Sequence, residues 1–226
     1  MTSDFEKIYY SKNHVLNSVK FDKYLKIYNL YFKKFKNRNP VILEIGLYDG
    51  GSLELYNKYF GGKCTIYGID IMKRCEEIPE KLGAKNINIT IGNQGSPIFW
   101  NRYLKDKPKF DIIIDDGGHK CNQQITTYEK LYEHMNDDGI YLVEDCHTSY
   151  WKQYGGGLNV DTSFIEYTKK LIDLLNADHH RKYNNHDHKC NGDTRFARQT
   201  KSIHFYDSVV VLEKEKNKKM KVIRNH

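Results

Sequence analysis

The chain has 226 residues, a formal charge of +7 and a hydrophobic content of 39%. This length is typical of one domain with at most an added lid, and no apolar stretch approaches the ~20 residues of a membrane-spanning helix. The basic excess lies in one stretch before the first apolar run and in the C-terminal tail, and no nucleic-acid-binding motif accompanies it. We therefore expect neither a membrane span nor specific nucleic-acid binding.

The cysteines indicate a reducing compartment. They are odd in number and contain no C-x-x-C pair, so neither a disulfide framework nor a zinc site is expected from them. The amino terminus has no apolar core behind a basic start, so a cytoplasmic location is expected. The five cysteines are Cys64, Cys75, Cys121, Cys146 and Cys190.

An amphipathic segment, "SVKFDKYLKIYNLYFKKF", precedes the first strand-sized apolar run. Its apolar residues recur with helical spacing, which predicts a helix packed beside a sheet or over the site. Residues 1–40 are therefore expected to form a helical segment that could act as a lid. The apolar stripe comprises Phe21, Tyr24, Leu25, Tyr28 and Phe32.

Five strand-sized apolar runs follow at nearly even intervals, and segments with helical spacing separate them. Strict alternation of strand and helix predicts right-handed crossovers and a parallel sheet covered on both faces. The expected fold class is therefore α/β, doubly wound and Rossmann-like. The runs begin at Val41, Thr65, Ile87, Phe110 and Gly139, and the helical segments span 52–59, 75–82, 96–104 and 123–134.

The last third of the chain predicts a helix over 161–176, capped by Asp161 or Thr162, and a hairpin around Asp207 and Ser208. The hairpin completes a mostly parallel seven-stranded sheet. We expect a catalytic domain over 41–214 and a basic tail over 215–226.

The polar segment 177–200, between that helix and the hairpin, is predicted to be a loop that could cover a substrate. Its histidines fit no zinc-ligand spacing, which favours a surface loop over a metal site. They are His179, His180, His186 and His188.

The first strand ends in "EIGLYDGGS", and the second ends in Asp70. Glycines allow a sharp turn and close approach to a ligand, and a helix amino end offers free N–H groups. The pattern E-x-G-x-x-x-G-G differs from the G-x-G-x-x-G dinucleotide fingerprint. It resembles the cofactor site of class I S-adenosylmethionine-dependent methyltransferases, which implies that the glycine loop lies against the methionine end and that Asp70 accepts from the ribose hydroxyls.

The third strand ends in "IGNQGS", where many members of that family have an acid that holds the adenine amino group. Asn93 stands in that place, and Gln94 is a substitute for it. The resemblance therefore implies a cofactor site formed by Glu44, Gly46, Gly50, Gly51, Ser52, Asp70, Asn93, Gln94 and Asp115.

Acidic residues follow the fourth strand, in "FDIIIDDGGHKC", and the fifth strand, in "YLVEDCHTSYW". The two strands are expected to be neighbours, which brings Asp115 and Asp116 close to Glu144 and Asp145. Like charges so close repel one another unless a cation or hydrogen-bond donors neutralise them. A cluster of carboxylate oxygens favours a hard ion, so a Mg²⁺ site is predicted.

These segments, together with "IHFYDSVVVLEK", resemble the metal-dependent sugar O-methyltransferases of macrolide biosynthesis and relatives described as cephalosporin hydroxylase-like or rhamnosyl O-methyltransferases. The likeness covers about residues 41–214. It implies that Asp116, Glu144 and Asp145 bind Mg²⁺ and that His119 is the general base. The usual "DDGSH" is "DDGGH" here, with the same spacing from Asp116 to His119.

The function expected from this resemblance is Mg²⁺-dependent methyl transfer from S-adenosylmethionine to a sugar hydroxyl of a glycan, nucleotide sugar or glycosylated metabolite. His147, Tyr150 and Trp151 are candidates for contact with the sugar. Two alternatives remain open: methylation of a catechol or other small-molecule hydroxyl, and a noncatalytic module that binds nucleic acid or a partner. Relatives of this kind suggest a homo-oligomer, by analogy alone.

Overall fold

A computed structural model describes residues 2–177, 195–216 and 223–225 of the chain. Its centre is one seven-stranded sheet with the order β3-β2-β1-β4-β5-β7-β6. The strands are Val41–Ile45 (β1), Thr65–Asp70 (β2), Ile87–Ile91 (β3), Phe110–Asp115 (β4), Met135–Val143 (β5), Thr200–Tyr206 (β6) and Val209–Lys214 (β7).

The register brings the carboxyl ends of the central strands together. β1 to β5 pair in parallel, and Ile45 at the end of β1 lies opposite both Ile69 and Asp115. Asp115, the last residue of β4, lies opposite Val143, the last residue of β5. The acidic residues at the ends of these two strands therefore lie at the same edge of the sheet. β7 runs antiparallel to both β5 and β6. The predicted fold class and the C-terminal hairpin are confirmed.

The described helices cover both faces of the sheet, and none of them is long and apolar enough to cross a bilayer. Two buried apolar clusters, one on each face, form the core. The helices are Asp4–Tyr9 (α1), Asp22–Phe32 (α2), Gly51–Tyr59 (α3), Ile78–Lys81 (α4), Pro97–Tyr103 (α5), Cys121–Leu131 (α6), Phe164–Leu175 (α7) and Arg195–Gln199 (α8).

Several predicted segments differ from the observed ones; for example, β5 begins at Met135 and not at Gly139. α7 begins after Ser163, whose hydroxyl accepts from Glu166 N at 3.2 Å, so Ser163 caps the helix instead of Asp161 or Thr162. Residues 75–82 divide into a 3₁₀ turn and the short α4. The end of the expected loop 177–200 forms α8 and the first residue of β6, whereas His179, His180, His186 and His188 lie outside the described residues.

The N-terminal helices pack against the sheet. Tyr24, Leu25, Tyr28 and Phe32 are at most 2% exposed, as the predicted stripe requires. Phe21 is 58% exposed, because it precedes the first turn of α2 and does not share its buried face. Residues 11–21 lie between α1 and α2, and we call this segment the strap; its first part contacts α3, and its residues 17–20 border the cavity at the carboxyl edge of the sheet.

Candidate active site

A cavity of about 580 Å³ lies at the carboxyl edge of the sheet. This volume is in the range of small-molecule sites, and open α/β sheets bind their ligands at this edge. The loops after β1 to β4 line it together with part of the strap. Its wall includes Gly46, Ser52, Asp70, Asn93, Asp116 and His119.

The glycine loop after β1 allows two close approaches of backbone. Gly46 has φ +85°, and a Cβ there would lie 2.0 Å from the carbonyl oxygen of Asp116. A Cβ on Gly51 would lie 2.2 Å from the carbonyl oxygen of Asn17 in the strap. Side chains at these positions would therefore push the β4 loop and the strap away from the cavity.

Asp70 is held rigidly at the cavity wall by backbone donors. One carboxylate oxygen accepts from Leu47 N at 2.7 Å and from Tyr48 N at 3.3 Å, and the other accepts from Met72 N at 2.8 Å. These contacts fix the carboxylate before any ligand arrives and leave it further acceptor capacity. Its predicted role toward ribose hydroxyls stays a prediction.

Asn93 and Gln94 have different surroundings. Asn93 lines the cavity, and its side-chain oxygen accepts from Gly95 N at 2.9 Å in a local turn. The Gln94 amide donates to Asp115 at 2.9 Å and accepts from Gly118 N at 2.7 Å. These bonds let Gln94 position the β4 loop while it also lines the cavity, and its predicted substitute role toward adenine stays a prediction.

Two carboxylates predicted in the cofactor site lie beneath the cavity wall instead. Glu44 accepts from Ser52 Oγ at 2.6 Å and Tyr56 OH at 2.9 Å, and Asp115 accepts from Gln94. Each is at most 1% exposed. Burial raises the pKa of Glu44 to about 7 and that of Asp115 to about 6. Neither carboxylate lines the cavity, and Gly50 does not line it either. These three residues support the loops from beneath the cavity wall.

Among the described residues, one group of acidic and histidine side chains could hold a metal ion. It consists of Asp116, His119 and Asp145, whose candidate ligand atoms all lie within 4.8 Å of one another. His119 Nε2 is 3.6 Å from an oxygen of Asp145, and its Nδ1 is buried without a hydrogen-bond partner. Two carboxylates and an imidazole fit a hard divalent cation.

Backbone strain accompanies this group. His119 has φ +54° and Asp145 has φ +51°, both in the left-handed region that non-glycine residues seldom adopt. Such residues are typically found at functional sites, where the surrounding structure enforces the conformation.

Glu144, the third predicted metal ligand, is not brought into this group. Its carboxylate is buried and is occupied by two residues that the sequence analysis missed. Lys20 donates to Glu144 at 2.9 Å and also to Asp116, and the Tyr28 hydroxyl donates to the other oxygen of Glu144. Tyr28 looked like an ordinary stripe residue, and Lys20 belongs to no motif, so no local signal pointed to either.

Charge compensation explains how these carboxylates are tolerated in the interior. Burial by itself lowers the pKa of Lys20, but Glu144 and Asp116 more than offset this and hold the pKa well above its usual value. Burial, reinforced by the Asp116 carboxylate, raises the pKa of Glu144. The ammonium group of Lys20 thus supplies the positive charge that the sequence analysis expected from a metal ion.

The candidate substrate residues form an aromatic rim beside Asp145. The rings of His147 and Trp151 meet edge to face at 4.8 Å, and the Phe21 ring lies 6.0 Å from His147. Tyr150 and Trp151 are 49% and 44% exposed. Their predicted contact with a sugar stays a prediction.

Ser208 and Tyr24 hold this rim to the strand tip. His147 Nδ1 is 2.5 Å from Ser208 Oγ, and Tyr24 OH lies 2.9 Å from the same oxygen. The Tyr24 hydroxyl also donates to Asp145 at 2.8 Å. The sequence analysis assigned no site role to Ser208 or Tyr24, because they belong to a turn and to a helix stripe.

The strand order and the cavity beside the glycine loop define the class I methyltransferase fold. In a comparison with solved structures, the chain superimposes on the methyltransferase MycE of the mycinamycin pathway, in complex with Mg and SAH. The TM-score is 0.77 and the identity 26%, over 96% of this chain and 55% of that one. No protein-family model matches the chain.

Similarity to curated proteins points to a narrower class of methyltransferase, the sugar O-methyltransferases. The chain is 29% identical over 202 residues to the 8-demethyl-8-alpha-L-rhamnosyl tetracenomycin-C 2'-O-methyltransferase of Streptomyces olivaceus, covering 86% of this chain and 50% of that protein. It is 28% identical over 197 residues to the mycinamicin VI 2''-O-methyltransferase of Micromonospora griseorubida, covering 84% and 47%. The chain spans about half the length of the curated relatives it matches, and the resemblance to sugar O-methyltransferases is confirmed.

Proposed function

We propose that the chain is the methyl-transfer unit of a Mg²⁺-dependent sugar O-methyltransferase that uses S-adenosylmethionine. The observation that carries this proposal is the convergence of Asp116, His119 and Asp145 at one edge of the cavity. The named activities of the relatives, and the Mg and SAH in MycE, support the same assignment.

The cavity would hold the cofactor next to the glycine loop, with its ribose directed at Asp70. The methyl group of a sulfonium needs little chemical activation, so the protein mainly has to align the acceptor oxygen with it and exclude water. The strap supports this role because Asn17, Ser18 and Val19 form part of the cavity wall.

Asp116 and Asp145 would hold the cation, which supplies a Lewis acid that makes a nearby hydroxyl more acidic. His119 borders the cavity, and one of its imidazole ring nitrogens would accept the hydroxyl proton. Its left-handed backbone and the contact with Asp145 hold the ring at the boundary between the cavity and the metal group.

The acceptor that we propose is a sugar hydroxyl of a glycosylated small molecule. The relatives named above methylate hydroxyls of this kind, which favours a sugar over a catechol. The aromatic rim offers an apolar surface for the C–H faces of a sugar ring beside Asp145. We take the rim residues His147, Tyr150 and Trp151 as the acceptor platform.

A direct experiment incubates the purified chain with S-adenosylmethionine, Mg²⁺ and a panel of methyl glycosides and nucleotide sugars, and follows the gain of one methylene unit by mass spectrometry. We expect product with Mg²⁺ and none with EDTA. Asp116→Asn should lower the rate by about 10²-fold or more, because it weakens a ligand to the cation.

The control for that substitution is Asp138→Asn, which removes a carboxylate that is half exposed and paired with Arg38 away from the cavity. It should leave the rate unchanged. Product formation that persists in EDTA, or an unaffected Asp116→Asn variant, would contradict the proposed function.

A further inference from the structure

The strap is anchored at one end by a buried carboxylate of α3. Glu54 accepts from Val15 N at 3.0 Å and from Leu16 N at 2.9 Å, and it is 4% exposed. Tyr9 OH donates to the carbonyl of Ser18 at 3.1 Å. These contacts fix the first part of the strap against α3, next to the residues of the strap that line the cavity.

Lys20 anchors the other end. Its side chain is 4% exposed, and its ammonium group is shared between Asp116, which follows β4, and Glu144, which follows β5. The strap is therefore tied by an ion pair to the same strand tips that carry the candidate metal ligands.

Asp116 belongs both to this ion pair and to the group with His119 and Asp145. A divalent cation in that group would lie next to the Lys20 ammonium, and like charges at adjacent positions repel strongly in a partly buried site. Removal of the ammonium would also free an oxygen of Glu144 for the cation. Both occupants thus need Asp116, and release of Lys20 would make Glu144 available as well.

We propose that Lys20 and Mg²⁺ are alternative partners of Asp116 and Glu144, so that metal binding displaces the lysine and releases the strap at its metal end. This inference rests on the proposed function only in assuming that the site takes Mg²⁺. Lys20 is then a positioning residue. It holds the strap against the strand tips and offsets the negative charge of the carboxylates until the cation binds.

The first test compares Mg²⁺ affinity by calorimetric titration without cofactor. Lys20→Met keeps the length and apolar stem of the side chain but removes the competing charge, and we expect it to bind Mg²⁺ about tenfold more tightly than the wild type, or better. The matched control is Lys23→Met, because the exposed Lys23 ammonium pairs with Asp207 and not with Asp116 or Glu144; the Mg²⁺ affinity of this variant should stay within about twofold of the wild type. Equal or weaker binding by Lys20→Met would overturn the proposal.

The second test uses the wild-type protein and does not depend on folding of the variant. Trace acetylation with acetic anhydride, read by mass spectrometry of the Lys20 peptide, measures how accessible the amine is. We expect Mg²⁺ to raise the labelling of Lys20 several-fold relative to the exposed Lys7 in the same sample. Labelling that is unchanged or reduced would overturn the proposal. If the calorimetric and labelling tests disagree, the labelling result is decisive.

These outcomes separate the inference from the proposed function. Mg²⁺-dependent methylation with Lys20 still protected would overturn the inference and leave the function standing. Displacement of Lys20 by Mg²⁺ without methylation of any glycoside would support the inference and not the function. Failure of both wild type and Lys20→Met to bind Mg²⁺ would overturn both.

Discussion

His119 combines features of a base and of a metal ligand. One ring nitrogen faces Asp145 at 3.6 Å, within the group that could hold a cation, and the other is buried without a partner. The ring also borders the cavity, where a hydroxyl and a methyl donor would meet. The two roles differ in what the loss of the imidazole would do to metal affinity.

We assign His119 as the base, and His119→Ala tests this. Turnover should fall by about 10²-fold or more, because the hydroxyl proton loses its acceptor. Affinity for S-adenosylmethionine and for Mg²⁺, both measured by titration calorimetry, should change little. A large loss of Mg²⁺ affinity would make His119 a ligand instead, and near-normal turnover would remove it from the chemistry.

His204→Ala is the control for that variant. This histidine lies on β6, where it contacts Ser202 and Glu213 away from the cavity, so the substitution should leave turnover unchanged.

At the scale of elements, Glu44 joins the central strand to the helix behind the glycine loop. Its carboxylate, within β1, accepts hydrogen bonds from Ser52 and Tyr56 of α3. Burial raises its pKa from an ordinary value near 4.5 to about 7. The folded state therefore holds the proton of this carboxyl more tightly than the unfolded state does.

This difference predicts a pH dependence of stability. Since the folded pKa is the higher one, the contribution of Glu44 is most favourable below about pH 4.5 and is lost as pH rises through 7. Glu44→Gln removes the titration, so its free energy of unfolding relative to wild type should rise between pH 5 and pH 8, by on the order of 3 kcal/mol at most.

Urea denaturation at several pH values measures that difference. Glu76→Gln, at an exposed position, serves as the control for the removal of a carboxyl group. If the difference in the free energy of unfolding between Glu44→Gln and the wild type is constant from pH 5 to pH 8, Glu44 is not protonated in the folded protein near neutrality.

The elements that the sequence predicted best are those with a strong local pattern. Apolar runs such as "FDIIID" are strand-sized and end in turn residues, so the strands and the shared edge at Asp115 followed from general rules of parallel sheets. The cap at Ser163 was missed because Asp161 and Thr162, close before it, have equal capping chemistry. Which residue caps depends on the path of the loop, which the local sequence does not encode.

At the scale of the whole molecule, the unpredicted part of the site comes from contacts distant in sequence. Lys20 reaches partners 96 and 124 residues away, and Tyr28 reaches one 116 residues away. Periodicity places Tyr28 on a buried face but cannot show what its hydroxyl meets. The sequence therefore predicted carboxylates in need of a cation, whereas only the assembled fold reveals that a lysine already pairs with two of them.

The central claim is that the tips of β4 and β5 jointly hold a divalent cation at the rim of the cofactor cavity. Crystals grown with S-adenosylhomocysteine and Mn²⁺, with anomalous scattering to locate the ion, test it most directly. We predict one strong peak about 2.0–2.5 Å from oxygens of Asp116 and Asp145. A map with no peak between these two residues, or with the ion bound elsewhere, would contradict the account.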